Sequence, residues 1–226
     1  MTRIVDPVLE ELRQRVLRMG SLAEAILAKA LRAVRERDAG LAAQVQQDDL
    51  EIDRIDVALD EEVTRVLALQ APVAADLRRI LAVRTMATDL ERVGDLSRNI
   101  AKSAARLAER APVSLPPLLE ELVEQTTRVL RDALDGFTET DAAKAQQVID
   151  ADDEIDATED RLIQAVIADV VDHPERTHQE VDFILIAKNL ERVGDHATNI
   201  AEEIIFLAEA RIVRHQERLG GELAPR

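Results

Sequence analysis

Residues 90–101 read LERVGDLSRNIA and residues 190–201 read LERVGDHATNIA, so one motif occurs twice at an offset of 100 positions. Nine of the twelve positions are identical between the two copies. A weaker pair, DLEID at 49–53 and DDEID at 152–156, precedes the two copies in the same order. Because this period is much longer than the roughly 20–50 residues of solenoid repeats, the pattern indicates a duplicated domain.

The composition favours helices. Of the 226 residues, 46% are hydrophobic and 33% are charged, but only 1% are aromatic, and Ala, Leu, Glu and Arg are abundant. These are helix-forming residues, whereas sheets favour aromatic and β-branched side chains, so an all-β fold is excluded. Apolar residues at helical spacing between Gly and Pro breakers predict six helices. The predicted helices cover about 7–37, 41–70, 72–110, 118–137, 141–172 and 177–218.

The densest cluster of helix breakers lies at 112–117, between the two copies of the motif. Long helices joined by short turns pack as antiparallel bundles. We therefore predict an all-α fold of two similar antiparallel three-helix bundles, with domains at 1–111 and 112–226. At the start of the sixth predicted helix, Thr177 and Glu180 have the spacing of a capping box.

Charge and motifs exclude several classes of protein. The net charge of −16 leaves no basic footprint for nucleic acid, and the absence of Cys excludes disulfides and thiolate metal sites. No apolar run reaches the length of a membrane span, and the N-terminus lacks the apolar segment of a secretory signal. Nucleotide-loop, Rossmann, hydrolase-elbow and zincin motifs are also missing. The expectation is a cytoplasmic helical protein that does not insert into membranes.

Acidic residues interrupt the apolar stripes of the predicted helices. On the second and fifth helices the stripe becomes acidic for about two turns, at Asp49 and Asp53 and again at Asp152 and Asp156. On the third and sixth helices, polar side chains at i, i+4 and i+8 share one face beside the apolar face. These are Glu91, Asp95 and Asn99, and then Glu191, Asp195 and Asn199.

If the acidic faces of one bundle meet, at least four carboxylates converge, and buried like charges raise one another's pKa and destabilise the fold. Arg side chains, protons or a cation must then compensate for the negative charge. Arg54, Arg92 and Arg192 lie nearby in sequence, so ion pairing is one alternative. The other is a metal site, because oxygen-only ligands suit Mg²⁺, Mn²⁺ or Ca²⁺ and carboxylate clusters in helical bundles also hold iron.

Two further features concern packing around these faces. Gly94 and Gly194 lie in the middle of predicted helices, where Gly costs about 1 kcal/mol relative to Ala, so we expect another helix or a ligand to approach closely there. His196 follows Asp195 but lies about 100° further round the helix, which indicates a packed or surface residue rather than a ligand beside Glu191.

These motifs resemble the PhoU family of phosphate-uptake regulators. The resemblance rests on DLEIDRIDVALD at 49–60, QAPVAADLR at 70–78 and the two LERVGD helices, and matching features run from about residue 10 to about 210. It implies two three-helix bundles in a cytoplasmic, non-enzymatic protein. It also implies negative control of the phosphate-starvation response, by linking the ATPase of the phosphate ABC transporter to a membrane sensor histidine kinase. These two proteins, and a second copy of the chain in a homodimer, are the expected partners.

The resemblance further implies metal ions, of iron, zinc, manganese or magnesium, bound through acidic motifs with i, i+4 spacing. Asn99 and Asn199 are possible additional ligands, and Asp76 and Arg78 in PVAADLR take a partner-facing or helix-positioning role. Carried over by position, the metal ligands are Asp49, Asp53, Glu91, Asp95, Asp152, Asp156, Glu191 and Asp195.

The second half departs from the first in two ways. No PVAADLR segment precedes Ile184, and three residues are missing between the acidic segment and LERVGD. The two sites are therefore expected to differ in geometry or occupancy.

Two other functions stay open at this point. One is a carboxylate-bridged metal oxidase or metal store, which needs His ligands inside the cluster and a redox-active metal. The other is a metal-free helical scaffold whose acidic faces pair with Arg.

Overall fold

The computed structural model describes residues 6–213, and within this range the chain is helical with no strand. The all-α prediction is therefore confirmed. The long helices are α1 (Asp6–Glu36), α2 (Ala39–Gln70), α3 (Ala75–Ala108), α4 (Pro117–Glu139), α5 (Ala142–Asp150), α6 (Asp152–Asp172) and α7 (Thr177–Glu209), with a short 3-10 helix at Pro174–Arg176.

These helices form two antiparallel three-helix bundles, as predicted. The first bundle consists of α1, α2 and α3, and the second consists of α4, the consecutive pair α5 and α6, and α7. The segment 109–116 connects the bundles without helical structure. No helix in the described range is both long enough and apolar enough to cross a membrane.

The second helical segment of each bundle begins with the same kind of N-cap. Asp38 accepts hydrogen bonds from the backbone N–H groups of Gly40 and Leu41, at 2.7 and 3.0 Å. In the second bundle Asp141, 103 positions later, accepts from the N–H groups at the start of α5 at 2.9 and 3.1 Å. An Asp N-cap satisfies amides that the first turn leaves without partners, so both repeats begin this helix by the same chemistry.

The predicted fifth helix is in fact two helices, because it breaks at Ala151. The N–H of Ala151 donates to the carbonyl of Val148 at 3.2 Å, the tighter bond of a 3-10 turn. Asp152 and the two acidic residues after it then begin α6, where negative charge favours a helix N-terminus. The corresponding helix α2 is continuous, so the two acidic segments differ in their backbone setting.

Two other predicted helix limits were wrong. The third helix begins at Ala75 rather than Pro72, because Ala71 and Ala74 have positive φ values of 42° and 48°. The last helix ends at Glu209 rather than near 218, and residues from 214 onward lie outside the described range. Thr177 also forms no capping box: its hydroxyl donates to the carbonyl of Pro174 at 2.6 Å.

The bundles pack through α3 and α7, which run antiparallel. Near the end of α3, Arg106 Nε and Arg110 Nη1 donate to the two carboxylate oxygens of Asp182 near the start of α7, at 2.7 and 2.6 Å. Nearer the middle, Asp89 of α3 lies 2.9 Å from the His196 ring nitrogen. Asp182 is only 2% exposed, so the two guanidinium groups compensate for the cost of burying its negative charge. The apolar core is continuous through both bundles.

Candidate functional site

The structure brings the predicted acidic faces together in each bundle, and we call the two regions the first and second seams. The first seam joins α2 to α3, and the second joins α6 to α7. The first seam comprises Asp49, Asp53, Asp56, Arg84, Glu91, Arg92, Asp95 and Arg98. The second comprises Asp152, Asp156, Glu159, Lys188, Glu191, Asp195 and Thr198.

Asp49 is the most deeply buried carboxylate of the first seam. It is 1% exposed, and neither of its carboxylate oxygens accepts a hydrogen bond. Its charge is opposed by an ion pair, because Arg98 Nη1 lies 2.9 Å from Asp49 Oδ2. The same guanidinium also contacts Asp95, so Arg98 joins a carboxylate of α2 to a carboxylate of α3.

Two more guanidinium groups lie in the first seam. Arg84 donates to Asp56 at 2.9 Å and to Asp60 at 3.0 Å, which joins α3 to α2 a second time. Arg92 lies 3.1 Å from Asp95 and 3.4 Å from a Glu91 oxygen. The predicted alternative of Arg pairing is therefore what the first seam shows. Of the arginines suggested from sequence, Arg92 takes part, whereas Arg54 pairs with Glu51 at 3.3 Å.

Gly94 explains how Asp49 reaches the interior. A Cβ atom at position 94 would overlap Asp49 Oδ1, so only a glycine leaves room for this carboxylate against α3. The predicted close approach at Gly94 is confirmed, and the approaching group is a charged side chain.

Burial raises the pKa values of carboxyl groups in the first seam. The pKa of Asp49 rises from 3.8 to about 6 because the group is desolvated; Arg98 opposes the rise, and the charges of Asp53, Asp95 and Glu91 add to it. The pKa of Glu91 is raised by burial and then by the charge of Asp95. Despite three arginines, the first seam is therefore costly to ionise completely.

The second seam has the same register but a different arrangement. Asp152, the counterpart of Asp49, stands at the first position of α6 and is half-buried, and it accepts a hydrogen bond from Thr198 at 3.1 Å. A Cβ at Gly194 would meet Ile155 Cδ1 at 3.1 Å rather than a carboxylate. Because α6 begins at Asp152, the acidic group stays at the margin of the core instead of entering it.

The ion pair in the second seam involves Glu159, which is 3% exposed. Lys188 Nζ lies 2.7 Å from Glu159 Oε1, so the buried carboxylate is compensated by one ammonium group. Within the described range, Asp152, Asp156, Glu191 and Asp195 form no ion pair with a basic side chain.

Burial, and then the charges of neighbouring carboxylates, also raise pKa values in the second seam. The pKa of Glu191 rises from 4.5 to about 7 because of burial first and then the charges of Asp195, Glu159 and Asp156, while Lys188 opposes the rise. The pKa of Asp195 is raised by burial and then by Asp152 and Asp156. Neighbouring carboxylates that resist ionisation are typical of a site that favours a proton or a cation.

Across residues 6–213, no three acidic or histidine side chains are arranged so that they could hold a metal ion as they stand. The donor chemistry nevertheless suits hard cations, because carboxylate oxygens converge from two helices in each seam. Glu159 Oε1, at the edge of the second seam, is buried and lies 2.7 Å from Lys188 Nζ. The assignment of the eight carboxylates as metal ligands stays a prediction.

The two predicted asparagines lie in different surroundings. Asn99 accepts a hydrogen bond from Lys102 at 3.1 Å. Asn199 donates to Asp89 at 3.3 Å, beside the contact of His196 with the same carboxylate. Asn199 therefore faces the interface between the bundles, and His196 is a packed residue of that interface, as its position on the helix indicated.

Asp76 and Arg78 lie at the start of α3. Asp76 is 6% exposed in the first helical turn, and the half-buried Arg78 places its guanidinium 5.8 Å from the centre of the Phe206 ring of α7. This placement favours the helix-positioning role over the partner-facing role.

Sequence reasoning missed the basic side chains and the threonine of the seams, which are Arg84, Arg98, Lys188 and Thr198. Arg98 is three positions after Asp95 and Arg84 is seven before Glu91, so both stand on the acidic side of α3. This helical spacing was the sequence signal that could have identified the two arginines as partners of the carboxylates.

Comparison with known proteins agrees with this architecture. The family model described as PhoU domain matches residues 16–104 and 119–204, one match in each bundle. The chain is 36% identical over 208 residues to the phosphate-specific transport system accessory protein PhoU homolog of Pseudomonas putida, covering 92% of this chain and 81% of that protein. It is also 36% identical over 204 residues to the homolog of Rhizobium meliloti, covering 90% and 86% of the two chains.

Two crystal structures are similar over nearly their whole length. PhoU from Pseudomonas aeruginosa matches with a TM-score of 0.88 and 32% identity, covering 91% of this chain and 99% of that one. The phosphate transport system regulatory protein PhoU from Streptococcus pneumoniae matches with a TM-score of 0.85 and 29% identity, covering 92% and 99%. The duplicated three-helix bundles, the two LERVGD helices and these full-length matches all agree, and the chain belongs to the PhoU family.

Proposed function

We propose that this protein is a non-enzymatic accessory protein of phosphate transport that regulates phosphate uptake. The observation that carries the proposal is the match of both bundles, over about nine-tenths of the chain, to proteins named as accessory to phosphate-specific transport. An adaptor role also suits a chain with no nucleophile, base and orienting group assembled in either seam.

At finer detail, we propose negative control of the phosphate-starvation response in the cytoplasm. The partners would be the ATPase of the phosphate ABC transporter and a sensor histidine kinase, with the protein acting as a homodimer. The domains 1–111 and 112–226 would be the two structural halves of this adaptor. The net charge of −16 supports protein partners with basic surfaces over nucleic acid.

Complementation tests this role. The gene is expressed in a bacterium that lacks its own PhoU and carries a reporter driven by a phosphate-starvation promoter. We expect the reporter to be repressed again in phosphate-rich medium, and the transporter ATPase to copurify with the tagged protein. A reporter that stays fully active while the protein accumulates in soluble form would contradict the proposal.

We also propose that divalent cations bind at the acidic seams, with the second seam the better candidate. Asp156, Glu191 and Asp195 would hold the ion there, and a bound cation would supply positive charge that offsets their mutual repulsion. The raised pKa of Glu191 supports this assignment, because a cation at the same place would replace the proton. Metal content measured by mass spectrometry before and after chelation, together with thermal melting of both forms, tests the proposal.

No observation favours the metal oxidase or metal store. That function needs His ligands within the cluster, and His196 instead contacts Asp89 at the interface between the bundles. The metal-free scaffold, in contrast, has support in the first seam, where Arg84, Arg92 and Arg98 pair with the carboxylates.

A further inference from the structure

We propose that the guanidinium of Arg98 takes the place of a divalent cation in the first seam, so that only the second seam binds such a cation. The inference rests on the cation site proposed above for the second seam. It assigns different charge compensation to two seams that arose from one duplicated unit.

The duplication provides an internal comparison. Position 98 corresponds to position 198, and Arg98 is replaced there by the neutral Thr198. Each residue contacts the first carboxylate of its own acidic segment: Arg98 pairs with Asp49 at 2.9 Å, and Thr198 donates to Asp152 at 3.1 Å. The two side chains therefore reach equivalent places, and one brings a positive charge whereas the other does not.

Arg98 stands where a bridging cation would bind. Its guanidinium contacts Asp49 of α2 and Asp95 of α3, one predicted ligand from each helix. A metal ion bound by these same carboxylates would have to displace the guanidinium and strip two ion pairs. Because Asp49 is 1% exposed, displacement would also leave Arg98 without its buried partner.

The two seams differ in the basic groups that contact their carboxylates. In the first seam three guanidinium groups, those of Arg84, Arg92 and Arg98, are in ion-pair contact with carboxylates of α2 or α3. In the second seam one ammonium group, that of Lys188, contacts one carboxylate, that of Glu159. The second seam therefore leaves more negative charge for a divalent cation to offset.

Exchange of the two residues tests the inference. Bound metal is removed with a chelator from three full-length proteins: the wild type, Arg98→Thr and Thr198→Arg. Each protein is then titrated with MnCl₂ in a calorimeter. We expect one class of Mn²⁺ site in the wild type, a second class in Arg98→Thr, and affinity weakened by about tenfold or more in Thr198→Arg, because an added charge at close range opposes the cation.

Matched variants control for charge alone. Arg65→Thr removes an exposed arginine that pairs with the largely buried Glu62 of α2, away from the seam, and Ala208→Arg adds one at an exposed position of α7. Both are expected to bind Mn²⁺ as the wild type does. A shift as large in the controls as in the seam variants would overturn the inference, because the effect would then follow from net charge.

The remaining outcomes separate this inference from the cation site itself. Wild-type affinity in Thr198→Arg, or loss of wild-type binding on Asp49→Asn, would overturn the inference while leaving cation binding in place. If the wild type binds no Mn²⁺ but Arg98→Thr gains a site, the cation site proposed for the second seam fails and the substitution by Arg98 is upheld. If Arg98→Thr does not fold with or without MnCl₂, the affinity of Thr198→Arg decides.

Discussion

Replacement of Glu191 by Gln should stabilise the metal-free protein at neutral and higher pH. The pKa of Glu191 in the folded protein is about 7 against an ordinary value of 4.5, so the folded protein holds this proton more tightly than the unfolded chain does. The contribution of this group to the free energy of unfolding is therefore fully present below about pH 4.5, and it is lost as the pH rises through about 7. Gln keeps the shape of the side chain and carries no charge at any pH, so the loss does not occur.

The magnitude follows from the difference between the two pKa values. At about 1.4 kcal/mol per pKa unit, the rise from 4.5 to about 7 corresponds to about 3 kcal/mol. Glu191 is half-buried, and solvent screening reduces this upper value, so we expect about 2 kcal/mol. For a chain of this size, that is an increase in Tm of about 4–8 °C.

The assay is thermal and urea unfolding followed by circular dichroism, in chelator, between about pH 5 and pH 8. The wild type should lose stability across this range faster than Glu191→Gln, and the two curves should converge at the acid end. Glu209→Gln, an exposed substitution on the same helix, controls for removal of a charge. Equal stability of Glu191→Gln and wild type at pH 8, or a difference that is the same at every pH, would refute the reasoning.

Three other substitutions have expected outcomes that urea denaturation can measure. Gly94→Ala should destabilise by about 1–3 kcal/mol, because the new methyl group overlaps the buried carboxylate of Asp49. Gly194→Ala should stay within about 1 kcal/mol of wild type, because it meets only a flexible methyl group and gains helix propensity; similar losses at both glycines would contradict this account. Asp182→Ala should cost about 2–4 kcal/mol by leaving two arginines unpaired between the bundles, and an unchanged midpoint would mean that the pairs contribute nothing. Arg78→Ala should cost about 0.5–1 kcal/mol through the lost contact with an aromatic ring, and a pull-down of the transporter ATPase should be unaffected if the residue only positions α3.

The fold and the place of both seams could be predicted because their signals are local. The LERVGD repeat, the acidic interruptions in apolar stripes and the mid-helix glycines are all patterns within one helix. Gly94 is the clearest case, since a costly residue in a helix interior indicated a close approach before the approaching Asp49 was known.

The details that failed depend on contacts between helices. The letters IDADDEID contain neither Gly nor Pro to mark Ala151 as a break, and the acidic run that favours a helix N-terminus there was interpreted as part of one continuous helix. Arg98 has the same i, i+3 spacing to Asp95 as many exposed pairs, and only the approach of α2 turns it into the partner of a buried carboxylate. The pairing of α3 with α7 was likewise invisible, since sequence gives apolar faces without saying which faces meet.

The antiparallel contact of α3 with α7 gives a single chain the symmetry of a two-subunit assembly. In a true dimer of identical repeats, every contact across such an axis occurs twice. Here Asp89 contacts His196, but the positions that would repeat this pair are Asn189 and Leu96, which cannot do so. Because the two copies are parts of one chain, their sequences can differ. One side of the axis therefore has a polar contact that the other side lacks. The chain is in this sense a tethered dimer whose two halves no longer make the same contacts.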